Sequence, residues 1–313
     1  MAVSEGAAKY GDILHECVAC GAGTLSHWRT KRYQYTQAHS VEKFDICRCA
    51  SCGTAFLNRP PHAEWLKEIY QYSGQALTQP ITADEVLARE AKFPNCTLDA
   101  ARMASQADRL NQSGNSRALD IGSGFGFYTQ ALRSVGYRTV SINPGKYENT
   151  VFKALNGDEP IPVMFESYAD REPFGVVLMS QVLEHMLNPG QVVGQVSSLL
   201  TRGGVFACAV PNFNSLVVRL LGTRDNACLW VPEHVNYFTA AGLSALLEAH
   251  GLKVVKMEQT TRIPPDALSR RIRMGPTVSR LLDGLVVLSQ GLVSRVMNSL
   301  GMGIYMTVYA VKQ

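Results

Sequence analysis

No window of about 18 residues in this chain is both strongly apolar and free of charge, so a membrane-spanning helix is not expected. The best candidate, Leu281 to Met297, carries Asp283, Gln290 and Arg295 and reads as an amphipathic helix instead. The opening Met1-Ala-Val-Ser-Glu-Gly lacks the basic and apolar regions of a secretory signal, which makes a cytoplasmic location the expectation. Long runs of Lys or Arg are missing too. Thirty basic residues against 26 acidic ones leave a formal charge of only +4, so nucleic acid is not an expected partner. There is no internal repeat and no low-complexity stretch, and no feature sets an oligomeric state. What is there is ordinary for a globular chain: 313 residues, 46% hydrophobic and 18% charged, enough for a core of normal size and a length that suits two domains.

Cysteine is sparse except near the start. Of eight cysteines, five fall between Cys17 and Cys52. Cys17-Val-Ala-Cys20-Gly and Cys49-Ala-Ser-Cys52-Gly are two Cys-x-x-Cys turns, each able to place two thiolates on one tetrahedral ion, and the glycine that follows each permits the tight turn. A β-hairpin fits the gap between them. The expectation is one structural zinc ion held by Cys17, Cys20, Cys49 and Cys52, closed to solvent chemistry because four thiolates leave no open position. Cys47, His15 and His27 are the spare candidates, and Cys96, Cys208 and Cys228 read as small apolar residues.

Three textures follow one another. Residues 1–75 form the cysteine-bearing module. Residues 76–115 read as a helical connector, with Val86, Leu87, Ala91, then Ala100, Met103, Ala107 and Leu110 on an apolar face and Pro94 interrupting it. From 116 to 313 strands alternate with helices. Strands are expected at 117–121, 138–142, 163–165, 174–179, 205–210, 252–257 and 304–311. Gly136 should close one helix, and Thr239 should cap another that Gly251 ends. This pattern predicts a doubly wound α/β fold, a mostly parallel seven-stranded sheet with helices on both faces. Residues 262–303, basic at Arg270, Arg271, Arg273 and Arg280, are expected to form a helical cap over a substrate or, alternatively, a contact to an anionic surface.

The sharpest motif is Leu119-Asp-Ile-Gly-Ser-Gly-Phe-Gly, which leaves a strand and enters a helix where open α/β sheets bind nucleotides. A dinucleotide fingerprint wants its third glycine at the sixth position, but that position is Phe127 and the glycine comes one residue early, at Gly126. The segment resembles motif I of the class I methyltransferases. The resemblance extends through Phe174-Gly-Val-Val-Leu-Met-Ser-Gln-Val-Leu-Glu-His, Leu200-Thr-Arg-Gly-Gly-Val-Phe and the last strand, about 200 residues in all. It implies S-adenosylmethionine as cofactor, with Asp120, Gly122, Ser123, Gly124, Gly126, Asn143, Pro144 and Gln181 around it. Asn143 stands where the family usually has an acid that accepts both ribose hydroxyls, and Gly175 where it commonly has Asp.

Leu229-Trp-Val-Pro-Glu-His-Val-Asn-Tyr-Phe-Thr is similar to a segment of nucleotide-sugar 3-C-methyltransferases, which also carry an N-terminal zinc module. That resemblance implies His234 as general base and Glu233 as its orienting partner. The family's Tyr three residues before the His is Val231 here. His185, preceded by Glu184, is the rival. The expected function is methyl transfer to a small molecule, sugar-like or a secondary metabolite. Methylation of RNA or protein and a non-catalytic binding module are the alternatives.

Overall fold

The computed structural model describes residues 9–34, 41–66, 81–224, 228–263 and 276–313. Arg270, Arg271 and Arg273 lie outside the described residues.

The main sheet has six strands in the order β5-β4-β6-β7-β10-β9. These are β4 (Arg117–Ile121), β5 (Arg138–Ile142), β6 (Phe174–Ser180), β7 (Leu200–Pro211), β9 (Leu252–Thr260) and β10 (Tyr305–Lys312). The first four run parallel, and β10 lies antiparallel between β7 and β9. Side chains alternate between the two faces, as a strand's two-residue period requires. Ala118, Val176 and Leu178 pack on one side with α2 (Cys96–Leu110) and α3 (Phe127–Ser134). Leu119, Val177 and Met179 pack on the other with α5 (Pro189–Leu199) and α7 (Ala240–Glu248). Helix α7 begins at Thr239, whose hydroxyl accepts from Gly242 N, and Gly251 follows it at φ +74°.

The strand expected at 163–165 does not form; just before it Ile161 makes a single bridge to Ile142. Ile161 N donates to Ser141 O at 2.8 Å and its carbonyl accepts from Asn143 N at 3.1 Å. Pro160 and Pro162 on either side have no N–H to extend the ladder. The chain then coils into a 3₁₀ turn at Phe165–Ser167. Helix α4 (Lys146–Asn156) leads into this region, and α1 (Ala83–Lys92) precedes Pro94 as expected.

The cysteine module is an antiparallel sheet of β1 (Leu25–Gln34), β2 (Val41–Cys49) and β3 (Ala55–Leu57), and it takes its fourth strand from far along the chain. That strand is β8 (Asn236–Tyr237), paired Ala55 to Tyr237 and Phe56 to Asn236. A shared core of Phe44, Leu57, Trp65, Phe213, Val231, Val235 and Tyr237 fills the space between the module and residues 213–237. The module and the catalytic-type sheet are therefore joined through the segment that carries Glu233 and His234. Short helix α6 (Leu216–Leu221) and the long α8 (Pro276–Ser299) complete the described elements, α8 lying within the expected cap.

Candidate functional site

Register brings the site together. Ile121 of β4 stands opposite both Ile142 of β5 and Met179 of β6, and Ser180 stands opposite Ala209 of β7. The residues that follow those strands, Gly122, Asn143 and Gln181, therefore leave the sheet at one level along its carboxyl edge. The amides of Gly122 and Ser123 both donate to Ile142 O, at 2.9 and 3.1 Å, so the glycine turn is stitched to the end of β5. Gly122, Gly124 and Gly126 hold φ of 68°, 50° and 92°, the left-handed region that side chains with a Cβ enter at a cost. At Gly126 space is also short: a Cβ there would overlap Asn156 Nδ2 and reach 2.8 Å from Phe152 Cδ2. Gln181 holds φ 57° without being glycine, a strained backbone of the sort that collects at functional sites.

A cavity of about 250 Å³ opens over this edge. Gly122, Ser123, Gly124 and Gln181, four residues expected from the sequence, line it. The other wall was not legible in the sequence: Cys96, Asp99 and Arg102 from α2, and Thr260, Tyr305 and Thr307 from β9 and β10. They meet because α2 packs along one face of the sheet and β10 pairs Tyr305 with Thr260 of β9. Arg262 holds the Asp99 carboxylate at 2.8 Å, and Arg102 bridges it to Glu258 and Thr307. Ser123 Oγ is buried with no hydrogen-bond partner among the described residues, a donor poised for something the turn would hold.

The remaining expected cofactor residues lie beneath or beside the cavity rather than on its lining. Asp120 is buried and accepts from Thr129 Oγ1 at 2.7 Å. Burial pushes its carboxyl up to about 7, against the pull of the Thr129 hydroxyl. Asn143 is buried and turned inward, donating to Asn149 Oδ1 at 2.8 Å, while Pro144 is exposed. The buried carboxylate of Glu148 sits beside Asn143 and over Gly145, and burial raises its pKa as well.

The second cluster lies on the turn after Gln181. Leu183–His185 form a 3₁₀ turn, and residues 233–236 dock on it: Val235 N donates to Glu184 O at 2.9 Å and Asn236 Nδ2 to Met186 O at 2.7 Å. His185 Nδ1 meets Glu233 O at 2.9 Å, His234 Nδ1 meets Cys228 O at 3.3 Å, and the two rings stand edge to face with centroids 4.6 Å apart. His234 Nδ1 meets a backbone carbonyl, and the Glu184 carboxylate comes near its ring. Burial, and then the neighbouring His185, push His234 down to about 3.

The four expected cysteines converge. Cys17 Sγ lies 3.6 Å from Cys52 Sγ and Cys20 Sγ 3.7 Å from Cys49 Sγ, with all four within 4.8 Å of one another. Tetrahedral zinc with sulfur at about 2.3 Å wants sulfurs about 3.8 Å apart, so the set fits that ion. The two turns are built alike: Gly21 N donates to Cys17 O and Gly53 N to Cys49 O, with φ 73° and 76° at the glycines. Cys47 is outside the cluster, and His27 faces Thr30 and Asp45.

The sequence pattern of a family described as a methyltransferase domain matches residues 97–257, just over half of the chain. The chain belongs to the methyltransferase domain family. The methyltransferase is 25% identical over 173 residues to the ubiquinone biosynthesis O-methyltransferase of Rhodopseudomonas palustris (strain HaA2), a match spanning 52% of this chain and 68% of that protein. It is 29% identical over 154 residues to the C-methyltransferase NovU of Streptomyces niveus, spanning 47% of this chain but only 35% of that one. A SAM-dependent methyltransferase from Archaeoglobus fulgidus superposes over 72% of this chain and 99% of its own with a TM-score of 0.47 at 16% identity. This methyltransferase depends on S-adenosylmethionine, and the left-handed glycine turn with its unpartnered Ser123 hydroxyl at the carboxyl edge is a cradle that fits such a cofactor. No described helix is long and apolar enough to cross a membrane.

Proposed function

We propose that this methyltransferase acts on a small acceptor, sugar-like or a secondary metabolite, in natural-product biosynthesis. The observation that carries the reading is the reach of the cavity. It runs from the glycine turn at Gly122–Gly124, past Gln181, to Thr260, Tyr305 and Thr307, with α2 across it. At about 250 Å³ it lies just under the range of about 300–1,000 Å³ usual for small-molecule sites, which favours a compact acceptor. Relatives named for O- and for C-methylation support a small acceptor and leave the accepting atom open.

The cofactor supplies an electrophilic methyl group on sulfur. Gly122, Ser123 and Gly124 would lie under its amino-acid and ribose part, with Asp120 below them, Gln181 beside them and Gly126 fixing the turn. Asn143 and Pro144 close the β5 side. Tyr305 and Thr307 then face the acceptor, and Asp99 and Arg102, anchored by Arg262 and Glu258, hold α2 in place. Aligning the acceptor in line with the methyl group is most of what such a site must do. Cys17, Cys20, Cys49 and Cys52 hold one structural zinc ion in this reading.

Calorimetric titration should show binding of S-adenosylmethionine and no binding of NADH. Transfer of labelled methyl should then be followed onto nucleotide sugars, phenols, tRNA and protein. Label entering only RNA or protein would overturn the small-acceptor reading, and binding of NADH alone would overturn the cofactor.

A further inference from the structure

Outside the cavity lining and the cysteine cluster, Glu184, His185 and His234 place one donor atom each within 4.8 Å of one another. We propose that these three residues form a second metal site, taking a divalent transition ion such as Zn²⁺, Fe²⁺ or Mn²⁺ on two imidazole nitrogens and one carboxylate. The inference stands independently of what the acceptor is.

Hydrogen bonding sets the imidazoles up for this. A carbonyl oxygen only accepts, so His185 Nδ1 against Glu233 O and His234 Nδ1 against Cys228 O must each carry the proton. In neutral rings that makes Nε2 the ligand nitrogen, held in orientation by a partner one shell out, which is how metal-bound histidines are usually fixed. Neutral imidazole is the form that binds metal.

The carboxylate supplies the independent sign. Glu184 is 1% exposed, and neither of its oxygens has a hydrogen-bond partner among the described residues. A buried carboxylate with both oxygens unmatched calls for a cation or a proton. A dication between the rings provides it, at bond lengths of about 2.0–2.2 Å that need the donors to close by roughly an ångström. Three protein ligands leave open positions, as in catalytic rather than structural sites. His185 is partly exposed, while Glu184 and His234 are buried, so the opening lies on the His185 side. The turn begins two residues beyond Gln181, which lines the cavity.

The test is a Co²⁺ titration of the full chain, with bound metal counted by elemental analysis in wild type, Glu184→Gln and His234→Gln. Each variant should bind one equivalent fewer than wild type. Its affinity at this site should fall by more than about 100-fold, since even outer-shell partners typically matter by about 10–100-fold. The ion remaining in the variants should show the intense thiolate-to-cobalt absorption of the cysteine site. The ion that remains in Cys52→Ser should lack it. Retained S-adenosylmethionine binding in the Gln variants shows that they are folded. Stoichiometry in Glu184→Gln and His234→Gln equal to wild type overturns the proposal, because the cluster then holds a proton rather than a metal.

Discussion

Gly126 and Gly136 share a backbone conformation, with φ of 92° and 99°, but not a neighbourhood. A Cβ at Gly136 meets nothing within 4 Å, whereas at Gly126 it runs into Asn156 and Phe152 of α4. Alanine at either position should therefore incur left-handed strain of about 1–2 kcal/mol. At Gly126 it should add an overpacking term of about 1–3 kcal/mol, because Phe152 is fully buried and cannot give way cheaply. The expected losses are about 1–2 kcal/mol for Gly136→Ala and about 2–5 kcal/mol for Gly126→Ala. Urea unfolding followed by far-ultraviolet circular dichroism measures both. The functional consequence should separate them further. Gly126 N donates to Ser123 O at 2.8 Å, so displacing Gly126 shifts the turn that lines the cavity. Calorimetry should show weaker S-adenosylmethionine binding in Gly126→Ala and wild-type binding in Gly136→Ala. Equal stability losses in the two variants would refute the packing argument, and unaltered cofactor affinity in Gly126→Ala would refute the link from turn to site.

Asn143→Asp replaces an inward donor by an acceptor facing Asn149 Oδ1 and the Glu148 carboxylate, so it should lower stability by about 1–3 kcal/mol without tightening cofactor binding. Tighter binding at unchanged stability would mean that the side chain faces the ribose instead. Burial raises Asp120 from 3.8 to about 7, so the folded state keeps a proton that the unfolded chain releases. Its stabilising contribution is therefore full below pH 4 and lost as pH rises to about 7, by up to about 4 kcal/mol, and comparing wild-type and Asp120→Asn melting across that range should expose the slope. An identical pH dependence in the two proteins would show that Asp120 ionises normally. Cys52→Ser, confirmed by metal analysis to have lost the cysteine-bound ion, should speed amide exchange at Leu57 and Val235–Tyr237 while β4 stays protected, since β3 and β8 pair across that module. Unchanged exchange at those amides would show that the pairing does not need the metal.

Local chemistry made much of this protein legible in advance. The strands at 117–121 and 174–179, Pro94 between two helices, Thr239 and Gly251 around α7, and the glycines of the turn all follow from a residue's own stereochemistry and its near neighbours. The cysteine cluster was legible for the same reason, because each Cys-x-x-Cys-Gly turn is complete within five residues and only the meeting of the two turns is tertiary. Chain position says less where partners are remote. Glu184 lies 50 residues before His234 in the chain, and its carboxylate reaches that imidazole only because residues 233–236 dock on another turn. Asn143 looked free to meet a ribose until the first turns of α4 brought Asn149 to its amide. The cavity wall on α2, β9 and β10, and the loan of β8 to the cysteine module, depend on register and on which helix packs over which strands. Backbone preference is encoded residue by residue, but the company a side chain keeps is decided by elements up to some two hundred residues apart, and only the folded chain brings them to within a hydrogen bond.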